Sequence, residues 1–199
     1  MSIKDTLLSR GYRVSEFSSK EEAAAYLADA IENTTVGIGG SVTAREMGLY
    51  ELLSQNNRVL WHWMPEEGKT PAALLTEARE AEVYLSSVNA LSETGEVVNI
   101  DGTGNRVSEI FFGHKRVYLL VGKNKLAPTL EEAVKRARNV AAPLNAKRLN
   151  RKTPCAVKGD RCYDCLSPEC LCSAIVTLRR RPLSVAEAEV IIINRELGY

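Results

Sequence analysis

The stretch Asp101-Gly102-Thr103-Gly104-Asn105-Arg106 puts a carboxyl and a guanidinium in one short glycine loop. Val97, Val98 and Ile100 before it have the character of a buried strand. Val107, Ile110 and Phe111 after it form the apolar face of a helix start. A strand, a glycine loop and a helix start in this order expose backbone N–H groups to an anion. Asp101 suits a general base or a hydroxyl-binding group, and Arg106 a clamp for carboxylate or phosphate. Alternatively the two pair with each other or cap the helix. A second loop, Gly37-Ile38-Gly39-Gly40-Ser41-Val42-Thr43, repeats the design, with Gly39 and Gly40 allowing close approach and Ser41 and Thr43 offering hydroxyls. It lacks both the dinucleotide spacing and the P-loop lysine, and an ordinary tight turn is the plainer alternative. Ser87 and Asn89 leave a further strand end, as do Lys123, Asn124 and Lys125. Ligands of open α/β sheets bind outside such carboxyl ends. Both glycine loops are therefore expected to face one pocket, with Lys123 as a second anion clamp or a solvated surface lysine. His62, between Trp61 and Trp63, either enters that pocket or is a half-buried structural histidine.

All five cysteines fall between Cys155 and Cys172, spaced Cys155-x6-Cys162-x2-Cys165-x4-Cys170-x-Cys172. Cys162 and Cys165 form a two-thiolate claw suited to zinc or an iron–sulfur cluster. Cys170 and Cys172 would complete four ligands, or Cys155 would replace one of them. The spacing matches no ferredoxin or zinc-ribbon run. Idle thiols in a turn-rich lobe and a reversible Cys162–Cys165 disulfide are the other readings.

The elements that must position these groups follow from periodicity and caps. Ile3 to Arg10 reads as a helix with Leu7 and Leu8 inward, and Tyr12 to Phe17 as a strand. Ser19 and Glu22 make a capping box for a helix bearing Ala23, Ala24, Leu27 and Ile31. Thr35 to Ile38, Arg58 to Trp61, Val83 to Ser87, Glu96 to Ile100 and Arg116 to Val121 read as strands, the last fully apolar and covered on both faces. His62-Trp63-Met64-Pro65 leaves the second of these. Proline starts a helix at Pro71. Thr129 caps a helix to about Asn139, and Pro143 to Leu149 reads as a separate shorter one. Ser173 to Arg180 and Glu189 to Asn194 close the chain as strands. The pattern is α/β, a mostly parallel central sheet with helices on both faces. It forms one domain over 1–199, with 150–172 as a loop-rich cysteine segment within it.

A net charge of +1 over 199 residues gives no electrostatic case for a nucleic-acid or membrane partner. The apolar runs fall far short of the ~20 residues of a membrane span. A charged N-terminus where an export signal would be apolar makes the expected location cytoplasmic. The chain carries no NAD or flavin motif, and a homo-oligomer is left open.

Several segments together resemble the LUD-domain family of lactate-utilisation proteins. They are the first glycine loop, Ser86 to Ala90, Val98 to Arg106, Val121 to Lys125, Asn139 to Arg148 and Thr153 to Cys155. The resemblance spans nearly the whole chain. It implies a fold similar to ribose-5-phosphate isomerase, glucosamine-6-phosphate deaminase and CoA transferases. It also implies a link, for some members, to oxidation of lactate to pyruvate beside iron–sulfur redox partner subunits. By that analogy Gly39, Gly40, Ser41, Thr43 and the loop Gly102 to Arg106 line a phosphate-holding pocket. The family's cysteine pattern is similar at Cys155, Cys162, Cys165 and Cys172, with Cys170 an addition, and His114 stands where the family often has proline.

Three functions are expected in order. The first is a binder of a small anionic or phosphorylated ligand, acting as a subunit in 2-hydroxy-acid oxidation. The second is a metal- or iron–sulfur-binding redox or assembly module. The third is a phosphosugar isomerase or CoA transferase-like enzyme.

Overall fold

The computed structural model describes residues 2–64 and 66–199. Pro65, read above as part of the segment leaving a strand, lies outside the described residues. The central sheet has six strands, in chain order β1 (Arg13–Phe17), β2 (Thr35–Ile38), β3 (Arg58–Trp61), β4 (Val83–Ser87), β7 (Arg116–Gly122) and β10 (Glu187–Ile193). They lie in the order β1-β10-β7-β4-β2-β3, and every pairing is parallel. A smaller sheet, β8-β5-β6-β9, is built from β5 (Ala90–Ser92), β6 (Val97–Asp101), β8 (Leu126–Ala127) and β9 (Ala174–Leu178). In it β6 runs antiparallel to both β5 and β9.

The helices are α1 (Ile3–Ser9), α2 (Lys20–Ala30), α3 (Val42–Glu46), α4 (Leu49–Leu53), α5 (Pro71–Ala78), α6 (Asn105–Phe111), α7 (Leu130–Arg136), α8 (Ala142–Arg148) and α9 (Pro154–Lys158). Successive residues of a central strand serve opposite faces, as strand geometry requires. Tyr118 and Leu120 of β7 join Ile191 and Ile193 of β10 in a core covered by Ala23, Leu27, Leu49 and Leu53. Val117, Leu119 and Val121 join Val190 and Ile192 in a second core with Leu7, Leu91, Val97 and Ile110. The small sheet thus packs one face, through Leu91 and Val97, on the main sheet. Its other face, through Ala90, Val98 and Ile100, meets Ala133 and Ala137.

The structure departs from the sequence reading in four places. Leu8 points outward at 50% exposure while Leu7 is fully buried, because only one of the pair fits the inner face of a two-turn helix. The segment after Ser87 contains β5, whose three residues are too short to show periodicity. The strand before the Asp101 loop belongs to the small sheet, so the two glycine loops come from different sheets. The helix before Asn150 is one helix from α7 to α8, joined by a π segment at Ala137–Ala141. Pro143, which lacks an N–H and crowds the carbonyl four residues back, sits directly after the widened turn.

Candidate functional site

The carboxyl ends of β2 and β3 are level, Ile38 opposite Trp61, so Gly39–Gly40 and His62–Trp63 leave the sheet side by side. Trp61 Nε1 donates to Gly39 O at 3.0 Å, and Gly39 N donates to Leu85 O at 2.9 Å, fixing the first glycine loop. A Cβ at Gly39 would lie 2.9 Å from the Tyr84 hydroxyl, so glycine is needed there for close approach. Beyond these strand ends opens a cavity of about 360 Å³. Gly40, Val42 and Thr43 form one wall, and Ser87, Asn89 and the Asp101 loop another. Lys125 lies at its floor, and Asn145, Arg148 and Leu149 of the α8 region close the far side with Arg151 and Tyr199. Both glycine loops therefore meet at one cavity.

Asp101 is occupied by its own loop. Its Oδ1 accepts from the backbone N–H of Thr103 at 3.0 Å and Gly104 at 2.8 Å, and its Oδ2 from Arg106 at 3.2 Å and Val107 at 3.3 Å. The N–H groups that a glycine loop offers an anion are here turned on an internal carboxyl group. Arg106 is likewise anchored: its guanidinium donates to Ser87 O at 3.3 Å, Asn89 Oδ1 at 3.0 Å and Ile100 O at 2.8 Å. Its Nε lies 3.9 Å from Asp101 Oδ2. It ties β4, the small sheet and the loop together and keeps its remaining donors at the cavity.

Lys125 is fully buried, and its Nζ donates to Thr43 Oγ1 at 2.9 Å. Burial pushes its amine down to about 7, and the nearby Arg136 and Arg106 push the same way. His62 is held below the usual histidine value by burial and then by Arg148, and its Nδ1 is buried with no hydrogen-bond partner among the described residues. Trp63 lies under the Arg148 guanidinium, 4.7 Å from ring centroid to Cζ. Among the described residues the cavity thus gathers Arg106, Lys125, Arg148 and Arg151 around one carboxylate side chain, Asp101.

Of the residues singled out from sequence, Gly40, Thr43, Ser87, Asn89, Asp101, Gly102, Thr103, Asn105 and Arg106 line this cavity. Gly39 packs behind it. Ser41 caps α3 by accepting from Ala44 N at 3.0 Å. Gly104 supplies a left-handed turn at φ 85. Lys123 is exposed and outside the lining, whereas Lys125, two residues on, is inside. Asn124 binds the C-terminal segment, accepting from Leu197 N at 3.1 Å and donating to Gly198 O at 3.1 Å. Arg151, Leu171 and Tyr199 carried no signal in the sequence. Asn145 and Arg148 did, since a spacing of three puts them on one helix face.

All five cysteines are free and line a second cavity of about 320 Å³ with Thr153, Tyr163 and Leu166. Among the described residues no three His, Cys, Asp or Glu side chains sit close enough together to hold a single metal ion. The Cys172 thiol is pushed up to about 12 by burial and then by Cys170 beside it. Ile100 and Leu171 line both cavities.

The six-stranded parallel sheet, with a cation-lined cavity at its carboxyl edge, defines an α/β protein of the open-sheet kind. The sequence matches the LUD domain over residues 1–193, and the chain belongs to the LUD-domain family. A DUF162 family protein from Deinococcus radiodurans overlays with a TM-score of 0.55 at 15% identity, covering 96% of this chain and 94% of that one. Ribose 5 phosphate isomerase A from Neisseria gonorrhoeae overlays at 0.37 and 17% identity, over 56% of this chain and 54% of its own. eIF2B beta from Chaetomium thermophilum does so at 0.38 and 11%, over 57% and 44%. No curated protein sequence matches.

Proposed function

We propose that the cavity binds a small organic anion bearing a carboxylate or phosphate, with 2-hydroxy and 2-oxo acids as the first candidates. The observation that carries this reading is the charge of the lining. Arg106, Lys125, Arg148 and Arg151 line a space whose one acidic side chain among the described residues, Asp101, is already satisfied by backbone N–H groups. A volume of about 360 Å³ stands at the small end of ligand sites and fits a compact acid. The family resemblance to lactate-utilisation proteins makes lactate and pyruvate the natural probes, and a role as a subunit in 2-hydroxy-acid oxidation is consistent with that size.

The roles divide by burial. Arg106, held by three acceptors, sets the position of the anion from inside, while Arg148, held by Asn145 and Tyr199, and Arg151 face it from the exposed rim. Asp101 holds the loop rather than the substrate. Lys125, a buried amine whose hydrogen-bond partner among the described residues is a hydroxyl, is the group that takes up a proton when negative charge enters.

Thermal melts with lactate, pyruvate and inorganic phosphate at low ionic strength test the reading. At about a hundredfold excess over Kd, the binding anion should raise Tm by roughly 5–10 °C. The rise should vanish in Arg148→Ala/Arg151→Ala. An equal rise in that variant would place binding elsewhere.

A further inference from the structure

The cysteine lobe is built for something the anion cavity does not use. Its thiols surround an enclosed space, and the backbone is bent to serve their sulfur atoms. Asp164 adopts a left-handed conformation at φ 49, rare for a residue with a side chain, and its N–H is directed at Cys162 Sγ at 3.3 Å. Cys172 N points at Cys170 Sγ at 3.5 Å, and the Thr153 hydroxyl lies 3.2 Å from Cys155 Sγ. Arg138 Nη2 reaches Cys162 Sγ at 3.7 Å and pairs with Asp164 at 2.6 Å. Donors aimed at sulfur stabilise thiolate and tune a metal centre bound to it. A disulfide has no such requirement.

The π segment at Ala137–Ala141 belongs to the same design. It carries both Arg138 and Asn139, and Asn139 Oδ1 accepts from Cys162 N at 3.0 Å. Such π turns recur at functional sites. Lys158 and Arg161 stand over the ring of Tyr163, itself part of the cysteine cavity's lining, at 4.5 and 5.1 Å.

Two occupants suit a cysteine lining, a single zinc ion and an iron–sulfur cluster. A single tetrahedral zinc with bonds of about 2.3 Å needs its thiolates gathered within roughly 4 Å of one another. Among the described residues no three His, Cys, Asp or Glu side chains form a ready group for a metal ion. A polynuclear cluster interposes its own iron and sulfide, so its thiolates stand apart around a void. Five cysteines line one cavity of about 320 Å³, which leaves room for a group that brings its own iron and sulfide.

We propose that this lobe holds an iron–sulfur cluster on four of its five cysteines, with Cys162 and Cys165 as the fixed pair. The cluster would lie one side-chain layer from the anion cavity, across Ile100 and Leu171. Ser173 Oγ donates to Gly102 O at 3.0 Å, and a Cβ at Gly102 would meet Leu171 O at 2.9 Å, so the lobe is seated on the Asp101 loop itself.

The test is metal analysis of the full chain purified without oxygen, then reconstituted with ferrous iron and sulfide and desalted. It requires no ligand in the anion cavity, so its result stands apart from the function proposed above. The expected result is iron and acid-labile sulfide in equal amounts, roughly two to four of each per chain. A broad visible band bleached by dithionite should accompany them, and both should be lost in Cys162→Ser/Cys165→Ser. Gel filtration and circular dichroism check that this variant remains folded. If it does not, Arg138→Ala, which leaves every thiol in place, should shift the cluster's reduction potential. Stoichiometric zinc without sulfide, or five titratable thiols and no metal after reconstitution, would overturn the proposal.

Discussion

Lys125 Nζ donates to Thr43 Oγ1 at 2.9 Å, tying the turn after β7 to the helix that follows the first glycine loop. The threonine hydroxyl passes the contact on to Leu197 O at 3.3 Å. Among the described residues no carboxylate lies within ion-pair distance of the amine, and burial holds it at about 7, against 10.5 for a free lysine. Below about pH 7 both folded and unfolded chains carry this proton, and the burial cost is constant. Between about 7 and 10.5 only the unfolded chain carries it, so folded stability rises with pH. Lys125→Met should therefore stabilise the protein at pH 7 by on the order of 3 kcal/mol. The advantage should shrink steadily toward pH 10. Urea unfolding at several pH values measures it, and a pH-independent difference would mean that the amine is not buried neutral.

The same amine predicts a proton coupled to binding. An anion in the cavity favours the charged lysine, so binding above pH 7 should take up a proton. Calorimetry in buffers of different ionisation enthalpy should show that uptake at pH 8. It should disappear in Lys125→Met even where anion binding survives.

Asp101 satisfies four backbone donors and faces Arg106. Asp101→Ala orphans these groups in a largely buried loop and should cost about 2–4 kcal/mol in urea unfolding. A variant of unchanged stability would return Asp101 to the role of a free acid or base.

Gly102 touches the cysteine lobe through Leu171 O, a backbone atom that has no rotamer with which to give way. Gly102→Ala should destabilise by about 1–3 kcal/mol. Limited proteolysis should then cut first between residues 159 and 172. Cleavage unchanged in site and rate would show that the lobe does not depend on this seat.

Much of the fold was legible because it rests on local signals. The capping hydroxyls of Ser19 and Thr129 sit where the caps were read, Pro71 starts its helix, and the apolar run of β7 is central and buried on both faces. β5 was not legible, since three residues carry no period and owe their strand to β6 and β8. The convergence of both glycine loops on one cavity could be read from strand ends. The exchange of Lys123 for Lys125 could not, because a 3₁₀ turn at Lys123–Lys125 decides which lysine points inward. His114 carried no signal, yet it is buried, stacked on Tyr84 at 4.8 Å and 3.0 Å from Glu109. Its partners lie on β4 and α6, and only folding brings them together. Arg151 belongs to an irregular stretch after α8, where no period predicts direction.

The most direct test of the anion cavity is calorimetric titration of lactate, pyruvate and phosphate into the wild type, Arg148→Ala and Arg151→Ala at two ionic strengths. One site per chain is expected, weakened about tenfold or more by loss of either arginine, and weaker at high salt. Binding of equal strength in all three proteins, or no binding of any of these anions, would contradict the assignment.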